Sequence, residues 1–398
     1  MRYGVVIIGG GASGLMLAAN LDLHGRKGLV LEKTGSVGTK LLMSGGGRCN
    51  ITRGGSIKEF IKAYGESGPA LRKCLYRHNN TELVRWLCDN GIAVADEKGN
   101  AVSPEDMDGA GRVFPASMRA SDILALLMGR AETNGWEIRT DSDVYALAPP
   151  MDDTEYWTVK ASGEEIYSSY VVIASGGITF PETGSDGSVL EILKSLGVEV
   201  TDVRSALAPV YVENYPYEEL SGISLSDVTV TAFSSDAANT CKGKAARMTG
   251  DLLFTHRGFS GPVILNISKY AEKGELLRIQ YNREFSELPK RLQRAIERRA
   301  RGPSGDIRTR TLALMTDHDD FTVLSVDENG MVTSGGIALD EIDMSTMQLR
   351  RFPGLYAAGE AIDADGITGG YNLQMCWSTA CTAADAIRSS AQPDLLQK

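Results

Sequence analysis

Apolar residues along the chain fall into three kinds of pattern. Tyr3 to Ile8 (YGVVII), Gly28 to Leu31 and Tyr170 to Gly177 (YVVIASGG) are short continuous apolar runs, which suits parallel strands covered on both faces. Helical spacing marks residues 15–24, 188–197 and 373–386, and Gly25 is a natural stop for the first of these. Strict alternation marks 143–148, 155–160 and 164–168, read as an antiparallel meander, and also 228–233 and 276–281. Strong apolar strands return only at residue 354. The pattern therefore predicts a parallel α/β domain built from both ends of the chain. A β-rich insert with a small helical part, at 286–302, separates those ends.

The first strand runs into GGGASG, residues 9–14, and a helix follows. In such a β-α-β unit Gly9 permits the tight turn and Gly11 lets backbone approach a pyrophosphate. Gly14 lets helix pack on strand. The N–H groups at the helix start, at Ala12 and Ser13, supply donors and the positive end of the helix dipole. Glu32, eighteen residues after Gly14, ends the second strand where a carboxylate can accept hydrogen bonds from an adenosine ribose.

A return motif, GLYAAGEAIDADGITGGYN (354–372), places Glu360 and Asp363 at the carboxyl end of a strand, followed by Gly369, Gly370, Tyr371 and Asn372 before a helix. Carboxylates there can bind ribitol hydroxyls. The N–H groups of the helix start can stabilise negative charge on a reduced flavin. One cofactor stretched across both motifs reads as FAD. Lys33, Val144, Ala174, Ser175, Gly176 and Gly359 complete this FAD set.

At 398 residues the chain is long enough for two domains, and a net charge of −10 disfavours a broad nucleic-acid footprint. No apolar run is long enough to span a bilayer, so the reading is a cytoplasmic protein that does not act on membranes. Six cysteines without a C-x-x-C pair are read as reduced thiols, Cys49 among them as a small buried residue. Lys242, Lys244 and Arg247 could attract the 2′-phosphate of NADPH, although such a run is more often a solvated loop, and the four scattered histidines give no metal signature. Nothing in the pattern sets an oligomeric state.

GTKLLMSGGGRCNIT (38–52) resembles the signature loop of the BaiN-like flavoproteins, a bacterial family of NAD(P)/FAD-dependent oxidoreductases also described as aminoacetone-oxidase-like. GRVFPASMRASDIL, LLFTHRGFSGPVIL, VTSGGIALDEIDMSTM and GLYAAGEAIDADGITGGYNLQ follow in the family's order. SELPKRLQRAIERRARG and MCWSTAC depart from it. The resemblance implies a glutathione-reductase-like FAD-binding Rossmann domain, residues 1–197 and 337–398, interrupted by a mostly-β domain at 198–336. It also implies that Lys40, Ser44, Gly45, Gly47, Arg48 and Asn50 lie along the cofactor.

The catalytic candidates are His256 as acid or base, Arg48 and Tyr371. Ser260 is expected to cap a helix starting at Gly261. The activity expected is NAD(P)H-driven reduction, through flavin N5, of an activated C=C bond or related small organic substrate. A flavin oxidase or dehydrogenase of a small amine or alcohol is the alternative, ahead of an FAD-dependent tRNA-modifying protein and a non-enzymatic flavin-binding regulator.

Overall fold

A computed structural model describes residues 1–151, 155–235, 242–300 and 318–391. The chain divides into two compact units, Met1–Val203 with Thr333–Lys398, and Arg204–Val332.

The first unit is organised by β1 (Arg2–Ile8), α1 (Ala12–Asn20), β2 (Gly28–Leu31), α2 (Ala120–Thr133), β3 (Trp136–Arg139), β4 (Val144–Ala148), β5 (Trp157–Ala161), β6 (Glu164–Ile173), β7 (Leu355–Ala357) and α3 (Tyr371–Ala391). Its sheet runs β7-β6-β1-β2-β3, all parallel, with two short antiparallel strands beyond β7. β1 sits between β6 and β2 with Val5 to Ile8 buried, which is why its sequence is apolar without alternation. α1 packs against both α2 and α3, so its buried residues run through Ser13 and Gly14 to Ala19.

Several elements differ from the sequence reading in extent. The first helix starts at Ala12, not residue 15, and stops at Asn20, because Leu21 turns extended and sends its side chain into the core. The segments 164–168 and 170–177 are not two strands. β6 is continuous from 164 to 173, pairing antiparallel with β5 and, from Tyr167 onward, parallel with β1. Ser168 is buried within it, and its hydroxyl donates to the Tyr170 carbonyl at 2.7 Å.

The second unit is a closed barrel. In spatial order its strands are Val210–Val212, Gly258–Ser260, Lys242–Phe254, Ser224–Ser235, Leu276–Gln280 and Asp319–Val326. Phe254, Phe259, Phe321 and Tyr217 fill its interior with edge-to-face ring contacts. The helix Lys290–Ala300 buries Leu292, Ala295 and Ile296 in the same core. Burial pushes Asp319 up, but Arg299, at 2.6 Å, keeps it paired. Residues 301 and 302 of the expected helical segment lie outside the described residues.

Candidate cofactor site

The carboxyl ends of β1, β2, β6 and β7 converge on the first glycine turn. A Cβ at Gly9 would stand 2.4 Å from the Ala174 carbonyl oxygen, and one at Gly14 would stand 2.0 Å from the Gly9 oxygen. Those two glycines let the ends of β1 and β6 and the start of α1 crowd together. Gly11 is different: a Cβ there meets nothing within 4 Å. It is the N-cap of α1 and makes no side-chain capping bond, so the first N–H groups of the helix face an open cradle.

Glu32 follows β2 and is 6% exposed. Its Oε2 accepts from Gly10 N at 2.9 Å, while Oε1 accepts from Thr34 N and Thr34 Oγ1, both at 2.8 Å. A carboxylate has about four acceptor positions, which leaves one on Oε2 for a hydroxyl donor. Lys33, next along the chain, pairs with Asp186 at 2.7 Å and Asp143 at 3.3 Å. Val144 is buried at the start of β4, and Ala174, Ser175 and Gly176 form the turn after β6.

At the end of β7 the Glu360 carboxylate meets Lys40 Nζ at 2.9 Å. Lys40 also donates to Thr179 O and Thr179 Oγ1, and Glu360 accepts from Thr333 N at 2.7 Å. Lys40 thereby neutralises Glu360 and ties segment 38–43 to the return motif. Gly359 lies against Ser13, whose Oγ would be 2.0 Å from an added Cβ. Asp363 N donates to Ile337 O, and its carbonyl accepts from Ser67 Oγ.

The glycine-rich loop folds back on itself. Ser44 Oγ donates to Leu41 O at 2.7 Å, and Arg48, exposed, donates through Nε to Gly45 O and stacks over Phe114 at 4.9 Å. Gly45 and Gly47 are exposed beside it. Cys49 is fully buried, and burial pushes its thiol up to about 12, so it is not a thiolate near neutral pH. Asn50, with its amide oriented to suit its neighbours, donates to Thr52 O and accepts from Gly370 N, each at 3.0 Å.

Gly370 precedes α3, and Asn372 pins the turn by bonding to Gly366 N and Gly366 O. Tyr371 is 6% exposed, edge-on to Phe60 and Tyr64, and the Arg53 guanidinium lies 5.2 Å over its ring. These contacts fix the Tyr371 ring at the helix start.

His256 belongs to the second unit, exposed in the turn between Lys242–Phe254 and Gly258–Ser260. Ser260 does not cap the following helix: Gly261, with φ +88°, is the N-cap, because Ser260 is still paired in its strand. Lys242, Lys244 and Arg247 are not in a loop: they lie in the barrel strand Lys242–Phe254, paired with Ser224–Ser235, where Arg247 is exposed and donates to Gln280, while the side chains of Lys242 and Lys244, and Cys241, lie outside the described residues. Among the described residues no group of three or more His, Cys, Asp or Glu could hold a metal, and no helix is long and apolar enough to cross a membrane.

Thr34, Arg53, Thr179 and Thr333 join this edge of the fold without having been singled out from the sequence. Only Thr34, two residues beyond Glu32, carried a local signal; the others arrive through tertiary contacts.

A family model described as the HI0933-like protein Rossmann domain matches residues 3–386. The chain belongs to that family. Within reach of the HI0933-like chain are the ribosomal RNA dihydrouridine synthase of Escherichia coli (strain K12), 28% identical over 96% of this chain and 97% of that protein, and its namesake in Haemophilus influenzae, also 28% identical. The 3-dehydro-bile acid delta(4,6)-reductase of Clostridium scindens is 25% identical over 96% of this chain and 98% of that protein. This match agrees with the BaiN-like resemblance of the motifs. Among solved structures, the 3-ketosteroid-delta4-(5alpha)-dehydrogenase of Rhodococcus jostii RHA1 aligns with a TM-score of 0.52 at 17% identity, covering 96% of this chain and 97% of that one. A flavocytochrome c3 fumarate reductase aligns with a TM-score of 0.52 at 14% identity, covering 98% and 78%. These two likenesses concern the fold. It is the Rossmann-type FAD-binding fold with a mostly-β insert, as the sequence predicts; that the insert closes into a barrel is a finding of the structure, and the HI0933-like chain is an FAD-dependent oxidoreductase.

Proposed function

We propose that this protein reduces a carbon–carbon double bond conjugated to a carbonyl group, with FAD as the resident cofactor and NAD(P)H as electron donor. The open, uncapped start of α1 beside Gly11 carries the FAD part of the reading, because a cradle of bare N–H groups over a Cβ-free position suits a pyrophosphate. Gly9, Ala12, Ser13 and Gly14 shape that cradle, and the remaining acceptor of Glu32 takes a ribose hydroxyl. Glu360 and Asp363 stand at the carboxyl end of β7, where a ribitol chain would run, and Gly369 to Asn372 frame the flavin end.

When bound, FAD supplies hydride transfer at N5. The substrate's β-carbon receives the hydride, its π electrons move toward the carbonyl oxygen, and a proton added at the α-carbon completes the saturated product. The nicotinamide provides the two electrons. His256 and Arg48 are proposed for the proton and for substrate contact. The names of the relatives support the bond type: dihydrouridine is uridine reduced at a C=C conjugated to a carbonyl, and a delta(4,6)-reductase of a 3-dehydro steroid acts on the same arrangement.

A small organic molecule is the first substrate reading. A uracil in ribosomal RNA is the second, favoured by two relatives named for it that span nearly the whole chain. The net charge of −10 speaks against a broad RNA footprint. Incubating the NADPH-reduced protein separately with a 3-oxo-4-ene steroid and with unmodified ribosomal RNA separates the two, by mass gain of two hydrogens in one substrate only.

A further inference from the structure

Basic side chains in the first unit fall into two groups: some are paired with acids, while others, such as Arg2, Arg48 and Arg72, lie over aromatic rings. Lys40 meets Glu360, Lys33 meets Asp186, Arg139 meets Glu137 and Arg388 meets Asp385. Arg53, only partly exposed, belongs to the second group: its guanidinium forms no ion pair or hydrogen bond among the described residues and lies over the Tyr371 ring at 5.2 Å. Glu59, the nearby acid, is committed to the Ser56 backbone N–H at 2.6 Å and to the Ser56 hydroxyl in a capping box. Glu59 is near enough to feel the Arg53 charge but is not bonded to it, so the guanidinium's donors remain free for a ligand.

Its surroundings fix where that ligand would be. Tyr371 is held by Phe60, by Tyr64 and by the Tyr64 hydroxyl, which donates to Tyr371 O at 2.7 Å, so the ring is a rigid shelf for Arg53. Arg53 Nη1 stands 3.0 Å from the Cβ position of Gly369, in the turn that leads into α3. The charge therefore hangs over the glycine side of this turn, at the edge where the return motif ends, with its donors unspent.

We propose that Arg53 is an anion-stabilising residue of the reduction, receiving negative charge that develops as the double bond is reduced. The inference rests on the reductase reading. Two sources share this chemistry: the pyrimidine end of the reduced cofactor, and the carbonyl oxygen of the substrate once hydride has reached its β-carbon. In either case the guanidinium gains a negative partner without changing its own protonation, and the electron count is that of a single hydride.

The test uses FAD-loaded wild type, Arg53→Gln and Arg53→Lys with two anionic probes. Sulfite adds to oxidised flavin and leaves negative charge on the ring; 4-chlorophenol binds beside flavin as a phenolate that imitates the substrate oxyanion and gives a long-wavelength band. Sulfite binding weakened by about tenfold to a hundredfold in Arg53→Gln, partly recovered in Arg53→Lys, assigns the charge to the cofactor, on the scale of one charge-assisted hydrogen bond. A phenolate band that weakens or moves to higher pH, with sulfite unaffected, assigns it to the substrate. Both probes binding the Gln variant as they bind wild type, or neither probe binding wild type, overturns the proposal, as does a variant that merely loses FAD or melts earlier. Neither probe needs a nicotinamide, so failure of NAD(P)H to reduce the protein would sink the reductase reading independently of this result.

Discussion

Lys40 Nζ lies 2.9 Å from Glu360 Oε2 across 320 residues of sequence. Their side chains are 25% and 15% exposed, so each ion relies on the other for most of the stabilisation that water would give. Lys40→Met or Glu360→Gln alone should destabilise the apoprotein by roughly 2–3 kcal/mol, whereas the double variant should lose less than the sum. Urea unfolding of the four proteins checks this, and strictly additive losses would show that the contact carries no coupling.

Gly11 and Gly14 separate binding from folding. Gly11→Val projects into open space and should leave the circular-dichroism spectrum and melting unchanged while FAD retention falls by tenfold or more. Gly14→Val should not yield folded protein, because its Cβ would stand 2.0 Å from the Gly9 oxygen. The ratio of flavin to protein absorbance after gel filtration reads the first outcome; retained FAD in Gly11→Val would remove the cradle from the account.

Cys49→Ser should leave turnover largely intact, since the thiol is buried and protonated. Iodoacetamide should leave Cys49 unmodified in native protein at pH 8, and peptide mapping reads this directly. Loss of turnover with FAD still bound would assign the thiol a redox role.

Buried thiols also set a pH dependence. Burial pushes Cys49 and Cys381 up to about 12 and Cys376 up to about 11, against an ordinary value of 9.0. The unfolded chain therefore releases these protons first, so their contribution to stability is complete below pH 9 and is lost as pH rises toward 11–12. Stability measured by urea titration should fall steadily above pH 9, and Cys376→Ala with Cys381→Ala should flatten that fall. An unchanged slope would contradict the burial argument.

Much of the nucleotide domain is legible in the sequence, because strands buried on both faces leave a continuous apolar record, as β1 and β2 do. β6 misleads where Ser168 and Ser169 interrupt the apolar run, since a buried serine satisfied by a carbonyl two residues away looks like a loop from sequence alone. At the cofactor edge, Glu32 is readable from its spacing to Gly14. Thr179, Thr333 and Arg53 are not, because each acquires its setting from partners far along the chain: Lys40 and Glu360 for the threonines, Tyr371 for the arginine. Arg48 shows the converse. Its glycine-rich setting is legible, but the Phe114 ring under its guanidinium is a neighbour no local pattern announces.

Nicotinamide-driven reduction is tested directly by an anaerobic titration of the FAD-loaded protein with NADH and, separately, NADPH, followed by addition of a 3-oxo-4-ene steroid or unmodified ribosomal RNA. One nicotinamide should bleach the blue-light absorption of the flavin, and a conjugated acceptor should restore it, gaining two hydrogens. Flavin that dithionite bleaches but neither nicotinamide does, and that a small amine or alcohol reduces instead, would contradict it and establish an oxidase or dehydrogenase.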